Sequence, residues 1–220
     1  MTTAIIGVGQ VGSALARHLV RGGERVVLAA RDDSHAVVLA KELGPLATSA
    51  SVSQAIADAD TVVFAVWLDT LAALVAENAG QLKGKVVVDP TNPIKLDGNG
   101  ALVRSLPEDQ TSGSVVAGLL PPEAHYVKAF GSLGAPSLVA SANRSPRRAV
   151  LFYATDDAQA AATAERLIAA AGFDPLQAGG LKDVARIEMP GGDLSQGGGL
   201  KGALLDADQA RGAVAATAIA

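Results

Sequence analysis

The residues best suited to chemistry stand at the start of the chain. Gly7, Gly9 and Gly12 have the spacing G-x-G-x-x-G, an apolar run from Ala4 to Ile6 leads into them, and Val11, Leu15, Leu19 and Val20 follow at helical spacing. That order is strand, glycine turn, helix. Glycine at 7 permits the tight turn, glycine at 9 lets the backbone approach a pyrophosphate, and glycine at 12 lets the helix sit close on the strand. The N–H groups at the helix start then face the phosphates, where the helix dipole favours negative charge. Binding of a dinucleotide is the chemistry this pattern suits.

The elements that must position the turn are legible around it. A helix is predicted over Gln10 to Arg21, with Arg17, His18 and Arg21 off its apolar stripe and Gly22-Gly23 as its stop; a second strand, Arg25 to Ala30, follows at once. The strand–helix–strand unit closes in about thirty residues, as the fingerprint demands. At the end of the second strand an NAD site carries an acid for the ribose 2′-hydroxyl, whereas this chain reads Leu28-Ala-Ala-Arg31, with no acid until Asp32. A cation there grips a 2′-phosphate, so Arg31 predicts NADP(H). The competing reading is a surface arginine paired with Asp32 or Asp33.

Other chemistries find little support. His18, His35 and His125 lack metal-ligand spacing, no serine stands in a G-x-S-x-G elbow, and there is no cysteine. No catalytic side chain and no metal is therefore expected. Hydride transfer fits this poverty, since the cofactor carries the reaction and the fold aligns two rings. A net charge of −4 and 3% aromatics argue against nucleic acid as a partner. No apolar run reaches the roughly 20 residues of a membrane span. With two residues ahead of the first strand and no cysteine, a cytoplasmic location is expected.

Along the chain, helices are predicted at Ser34 to Glu42, Ser53 to Asp58 and Leu68 to near Gly80, and strands at Ala47 to Ser49, Thr61 to Val66 and Val86 to Val88. Ile94 to Thr111 reads as a long loop over the site. Then come a helix at Ser114 to Leu120, a strand at Tyr126 to Ala129 and a loop from Gly131 to Arg148. A strand (Ala149 to Ala154), a helix (Asp157 to Ala171), another strand (Phe173 to Ala178) and short helices at Asp183 to Glu188 and Ala203 to Ala216 close the chain. The alternation predicts an α/β fold, a Rossmann-type doubly wound, mostly parallel sheet with a small C-terminal extension. Residues 1–145 form the expected NADP(H)-binding domain and 146–220 a smaller α/β extension on the same sheet.

The ordered set Gly7-x-Gly9-x-x-Gly12, Arg31, Ala65-Val-Trp67, Asp89-Pro-Thr-Asn-Pro93 and Val127-Lys-Ala-Phe130 resembles the coenzyme F420-dependent NADP oxidoreductases. The later stretch from Phe152 to Asp157, through Gly172-Phe-Asp-Pro175, to Gly179-Gly-Leu181 is similar to that family's second half. The resemblance implies hydride exchange between NADP(H) and the deazaflavin ring of F420. Its cofactor-contacting positions fall on Val8, Gly9, Gln10, Val11, Ala30, Arg31, His35, Ala65, Val66, Trp67, Asn92, Pro93, Ala129, Phe130 and Gly131. The deazaflavin would lie near Asn92-Pro93 and Phe130-Gly131. The chain departs from the family at Gly131, where relatives often carry a small polar residue. Two alternatives stay open: an NADPH-dependent reductase of a flavin or another small acceptor, and a non-enzymatic NADP(H)-binding redox sensor.

Three features have competing readings. Trp67 either plugs the core or shapes a ring pocket. Asp89 before Pro90 terminates its strand and caps a turn. The segment Pro190 to Gly199, five glycines in ten residues, is a loop that either covers the deazaflavin site through Asp193, Ser195 or Gln196 or simply connects. Finally, the apolar ending, with Ala203, Leu204, Leu205, Ala207, Ala210, Val214 and Ile219, predicts a homodimer, with packing on the chain's own sheet as the alternative.

Overall fold

A computed structural model describes residues 1–216. The chain opens with β1 (Thr2–Ile6), α1 (Gln10–Arg21), β2 (Arg25–Ala29), α2 (Asp33–Leu43), β3 (Ala47–Ser49), α3 (Val52–Asp58), β4 (Thr61–Phe64), α4 (Leu68–Asn78) and β5 (Val86–Asp89). A small hairpin, β6 (Ile94–Leu96) and β7 (Leu102–Arg104), precedes α5 (Ser112–Leu119) and β8 (His125–Ala129). Then follow α6 (Ala135–Ala140), β9 (Val150–Ala154), α7 (Ala158–Ala170), β10 (Asp174–Gly179), a 3-10 stretch at Leu181–Ile187 and α8 (Ala207–Ala216).

Eight strands form one sheet in the order β10-β9-β8-β5-β4-β1-β2-β3. The chain winds from β1 outward to β2 and β3, then crosses back to β4 and winds the other way. β1 and β4 therefore flank the switch point, where an open parallel sheet leaves a crevice at its strand ends. All pairings are parallel except β8 with β9, so β9 and β10 run against the rest. The chain is thus α/β with a Rossmann-type, mostly parallel sheet, and the last two strands extend that sheet.

Helices cover both faces, which is why β4 (TVVF) and β5 (VVVD) read as unbroken buried runs. Ile5, Leu15, Leu19, Leu28, Val63 and Phe173 build one core; Ile6, Ile56, Phe64, Leu71, Val87 and Val116 build the other. Side-chain caps start four of the helices: Asp32 for α2, Ser51 for α3, Thr111 for α5 and Asp157 for α7. α1 begins on Gly9 with no side-chain cap.

Three expectations are corrected. Ile94 to Thr111 contains a hairpin, because Asp97 accepts from the backbone N–H groups of Asn99 and Ala101 (2.8 and 2.9 Å) and folds Asp97-Gly-Asn-Gly100 into a turn. The loop from Gly131 to Arg148 contains α6, with a proline in its first turn. His18, expected off the apolar stripe of α1, is only 7% exposed: it bonds the Leu138 carbonyl (3.1 Å) and meets the Phe173 ring edge-on. In the apolar ending, from which a homodimer is expected, Ala210 is fully buried and Leu205, Ala207 and Val214 pack against the core under β9 and β10. Ile219 lies outside the described residues.

The glycine-rich segment is a compact coil rather than a flap. Gly192 bonds Glu188, Leu194 bonds Arg186 and Gly199 bonds Gly192 through their backbones. A β-carbon at Gly192, Gly198 or Gly199 would meet backbone atoms at 2.4–2.6 Å, so these glycines serve close backbone packing. Its three polar residues are engaged by the protein. Ser195 bonds Gly192 and Asp193 pairs with Arg186. Gln196 joins Gly134, Ser137 and Gly202.

Candidate functional site

Each glycine of the fingerprint has a separate physical reason. Gly7 has φ +98°, and a β-carbon there would stand 2.4 Å from the Ala65 carbonyl oxygen. At Gly12 a β-carbon would fall 1.8 Å from the Gly7 carbonyl oxygen, so the helix sits on the turn only without one. Gly9 differs: its φ is −69° and a β-carbon would meet nothing within 4 Å. Nothing in the protein itself requires glycine at 9. Open space over uncapped helix N–H groups is what a pyrophosphate needs, so these residues fit a dinucleotide.

Beside the turn lies a cavity of about 410 Å³ bordered by Gly7, Ala30, Arg31, Val52, Val66, Thr70 and Leu74. Arg31 is exposed, and its guanidinium makes no hydrogen bond or ion pair among the described residues. Asp32 does not pair with it. The Asp32 carboxylate instead accepts from the Ser34 backbone N–H (3.0 Å), and hydrogen bonds from Ser34 hold its pKa below the ordinary value. His35 is exposed in the first turn of α2 and does not border the cavity.

Across Thr70 a second groove, about 290 Å³, runs between the start of α4 and the hairpin, walled by Trp67, Leu68, Ile94, Lys95, Leu96 and Ser105. Trp67 is 51% exposed there, so it shapes a groove and does not plug the core.

The ends of β5 and β8 meet next to this groove. Asn92 donates to the Gly131 carbonyl (3.0 Å) and accepts from the Met189 N–H (2.7 Å). A β-carbon at Gly131 would lie 3.0 Å from the Pro90 carbonyl oxygen, a tight fit that explains the smallest residue there. Phe130 has φ 65°, in the left-handed region, and turns the chain sharply after β8. Ala129, Phe130, Gly131 and Pro93 are buried. The side chains of Ala129 and Phe130 belong to the core. Gly9 and Gln10 are exposed, and Val8, Val11, Ala65 and Val66 are half-buried around the turn.

Beneath that junction lies an ion cluster that sequence reasoning missed. Lys128 is 1% exposed; its ammonium is 3.1 Å from an Asp89 carboxylate oxygen and 3.3 Å from one of Glu188, and it donates to the Thr91 carbonyl and the Ser112 hydroxyl. Asp89 also accepts from the Thr91 N–H (2.7 Å), the turn cap expected of it, and from the Tyr126 hydroxyl (2.7 Å). Burial first, and then the charge of Asp89, push the Tyr126 phenol well above its ordinary pKa, so it stays a donor. Glu188 accepts from the Ser112 and Gly113 N–H groups (3.1 and 2.9 Å) at the start of α5. The available signal was a lysine between Val127 and Ala129 in a strand expected to be buried, since a buried charge must find a partner.

Among the described residues no group of three or more His, Cys, Asp or Glu is placed to hold a metal ion, and no helix is long and apolar enough to cross a membrane.

A glycine turn at the switch point of a parallel sheet defines the class, the Rossmann-type dinucleotide-binding proteins. Within it, residues 2–93 match the family model described as NADP oxidoreductase coenzyme F420-dependent, and the chain is an NADP-dependent oxidoreductase. It is similar to a hypothetical protein from Sinorhizobium meliloti, at 28% identity over 94% of this chain and 95% of that one, with a TM-score of 0.80. It is also similar to an Arthrobacter protein provisionally assigned as an F420-dependent NADP-reductase, at 26% identity over 83% and 86% of the two chains, with a TM-score of 0.70. A reductive aminase from Aspergillus terreus, in complex with NADPH and ethyl levulinate, shares the fold at 20% identity over 81% of this chain and 55% of its own, with a TM-score of 0.60. No curated protein matches the chain.

Proposed function

We propose that the protein exchanges a hydride between NADP(H) and coenzyme F420. The observation that carries this reading is Arg31 at the end of β2, unpaired among the described residues, beside a cavity that opens onto the glycine turn. A free cation at that point favours a 2′-phosphate over a bare ribose. The α1 N–H groups and Gly9 receive the pyrophosphate, and Asn92-Pro93 with Phe130-Gly131 border the nicotinamide.

When bound, the two ring systems supply the chemistry, a hydride passing between nicotinamide and deazaflavin with a proton exchanged with solvent. The residues of this chain bind and orient. Trp67, Ile94 and Leu96 offer apolar walls beside Asn92-Pro93, suited to a flat second ring. Support for F420 over another acceptor comes from the family match over residues 2–93.

The test is a stopped-flow trial in which the protein and NADPH are mixed with F420, and separately with a flavin. Rapid loss of NADPH absorbance with F420 and little with flavin is expected. Turnover with flavin alone would move the reading to a flavin reductase, and tight NADPH binding with no turnover to a redox sensor.

A further inference from the structure

Lys128 stands on β8 directly below the crevice, yet all its donors are directed at the protein. It reaches three separate pieces of chain: Asp89 and Thr91 at the end of β5, Ser112 at the start of α5, and Glu188 after the 3-10 stretch. The pieces are then locked above it. Met189, next to Glu188, donates to Asn92, and Asn92 donates to Gly131. The order of contacts is therefore buried ammonium, then Thr91 and Glu188, then the Asn92–Gly131 clasp.

We propose that Lys128 is a positioning residue that sets the Asn92–Gly131 floor on which the nicotinamide ring lies. The inference rests on the cofactor reading given above. A buried lysine flanked by two carboxylates has a cheaper alternative in apolar packing, because desolvating ions offsets most of what their attraction returns. What the ions add is direction: one point charge with several fixed acceptors holds the ends of β5 and β8 in a single register. The adenosine half of the cofactor lies on the other side of β4, against Arg31 and Gly7, and Lys128 does not touch it.

That separation provides the test. Binding of two ligands to Lys128→Met is compared with binding to the unaltered protein: NADPH, which has a nicotinamide, and adenosine 2′,5′-bisphosphate, which has only the phosphorylated adenosine end. Misplacing the floor by even a fraction of an ångström is expected to weaken NADPH about tenfold and slow hydride transfer by about 10- to 100-fold. Binding of the bisphosphate should stay within about twofold. Should Lys128→Met fail to fold, Glu188→Gln keeps the shape and removes one charge; it should show the same split, about threefold on NADPH. An equal loss for both ligands, or no loss for either, would overturn the proposal. Failure of adenosine 2′,5′-bisphosphate to bind the unaltered protein would overturn the cofactor reading itself, and this inference with it.

Discussion

The side-chain amide of Asn92 donates to the carbonyl of Gly131 across 3.0 Å, tying the end of β5 to the end of β8 at the crevice. Its oxygen accepts from Met189, so one residue closes two loops. Asn92→Ala leaves the Gly131 carbonyl and the Met189 N–H without partners, a loss of about 1–3 kcal/mol each if they stay dry. Urea unfolding should show a lower midpoint with an unchanged m-value, and the KM for the acceptor should rise. An unchanged midpoint would mean that water or another group replaces the amide.

Gly9 and Gly12 should respond differently to the same substitution. Gly12→Ala drives a methyl into the Gly7 carbonyl, and is expected to destabilise the fold by about 1–3 kcal/mol or more. Gly9→Ala meets open space at an ordinary φ, so stability should change by no more than about 1 kcal/mol. NADPH affinity should nevertheless fall by about tenfold, because the methyl occupies the approach of the pyrophosphate. Melting curves and NADPH fluorescence titrations on both variants separate the two roles. Unimpaired NADPH binding by Gly9→Ala would place the phosphates elsewhere.

His18 makes the fold sensitive to mild acid. Burial lowers its pKa from the ordinary 6.5, against the opposing effect of its bond to the Leu138 carbonyl. The unfolded chain then takes up a proton more readily than the folded one, so this contribution to stability is full above about pH 6.5 and shrinks as the pH falls below it. The melting temperature of the native protein should drop between pH 7 and 5 by more than that of His18→Gln. Parallel curves for the two proteins would show that the imidazole does not take part.

The start of the chain was legible because local chemistry settles it. Gly7, Gly9 and Gly12 announce the turn by spacing, and runs such as Thr61 to Phe64 are buried on both faces and apolar throughout. The β6–β7 hairpin was not legible: strands of three residues lack periodicity, and Asp97-Gly-Asn-Gly100 looks like any polar loop. α6 is six residues long and opens with a proline, so it gave too few turns to register. His18 sits beside Arg17 in sequence and lost its exposure only when the stretch carrying Leu138 folded over it. The cluster around Lys128 joins residues far apart along the chain, and no spacing rule reaches that distance. The glycine-rich coil is the opposite case, since its composition suggested looseness where the glycines permit dense backbone packing.

The central claim, that Arg31 selects a phosphorylated dinucleotide, is tested most directly by kcat/KM for NADPH against NADH, in the unaltered protein and in Arg31→Ala. A charge-assisted contact of about 1.5–3 kcal/mol gives a preference of about ten- to a hundredfold for NADPH. The account predicts that preference in the unaltered protein, its near disappearance in Arg31→Ala, and little change in the NADH value. Equal kcat/KM for the two cofactors in the unaltered protein would contradict it.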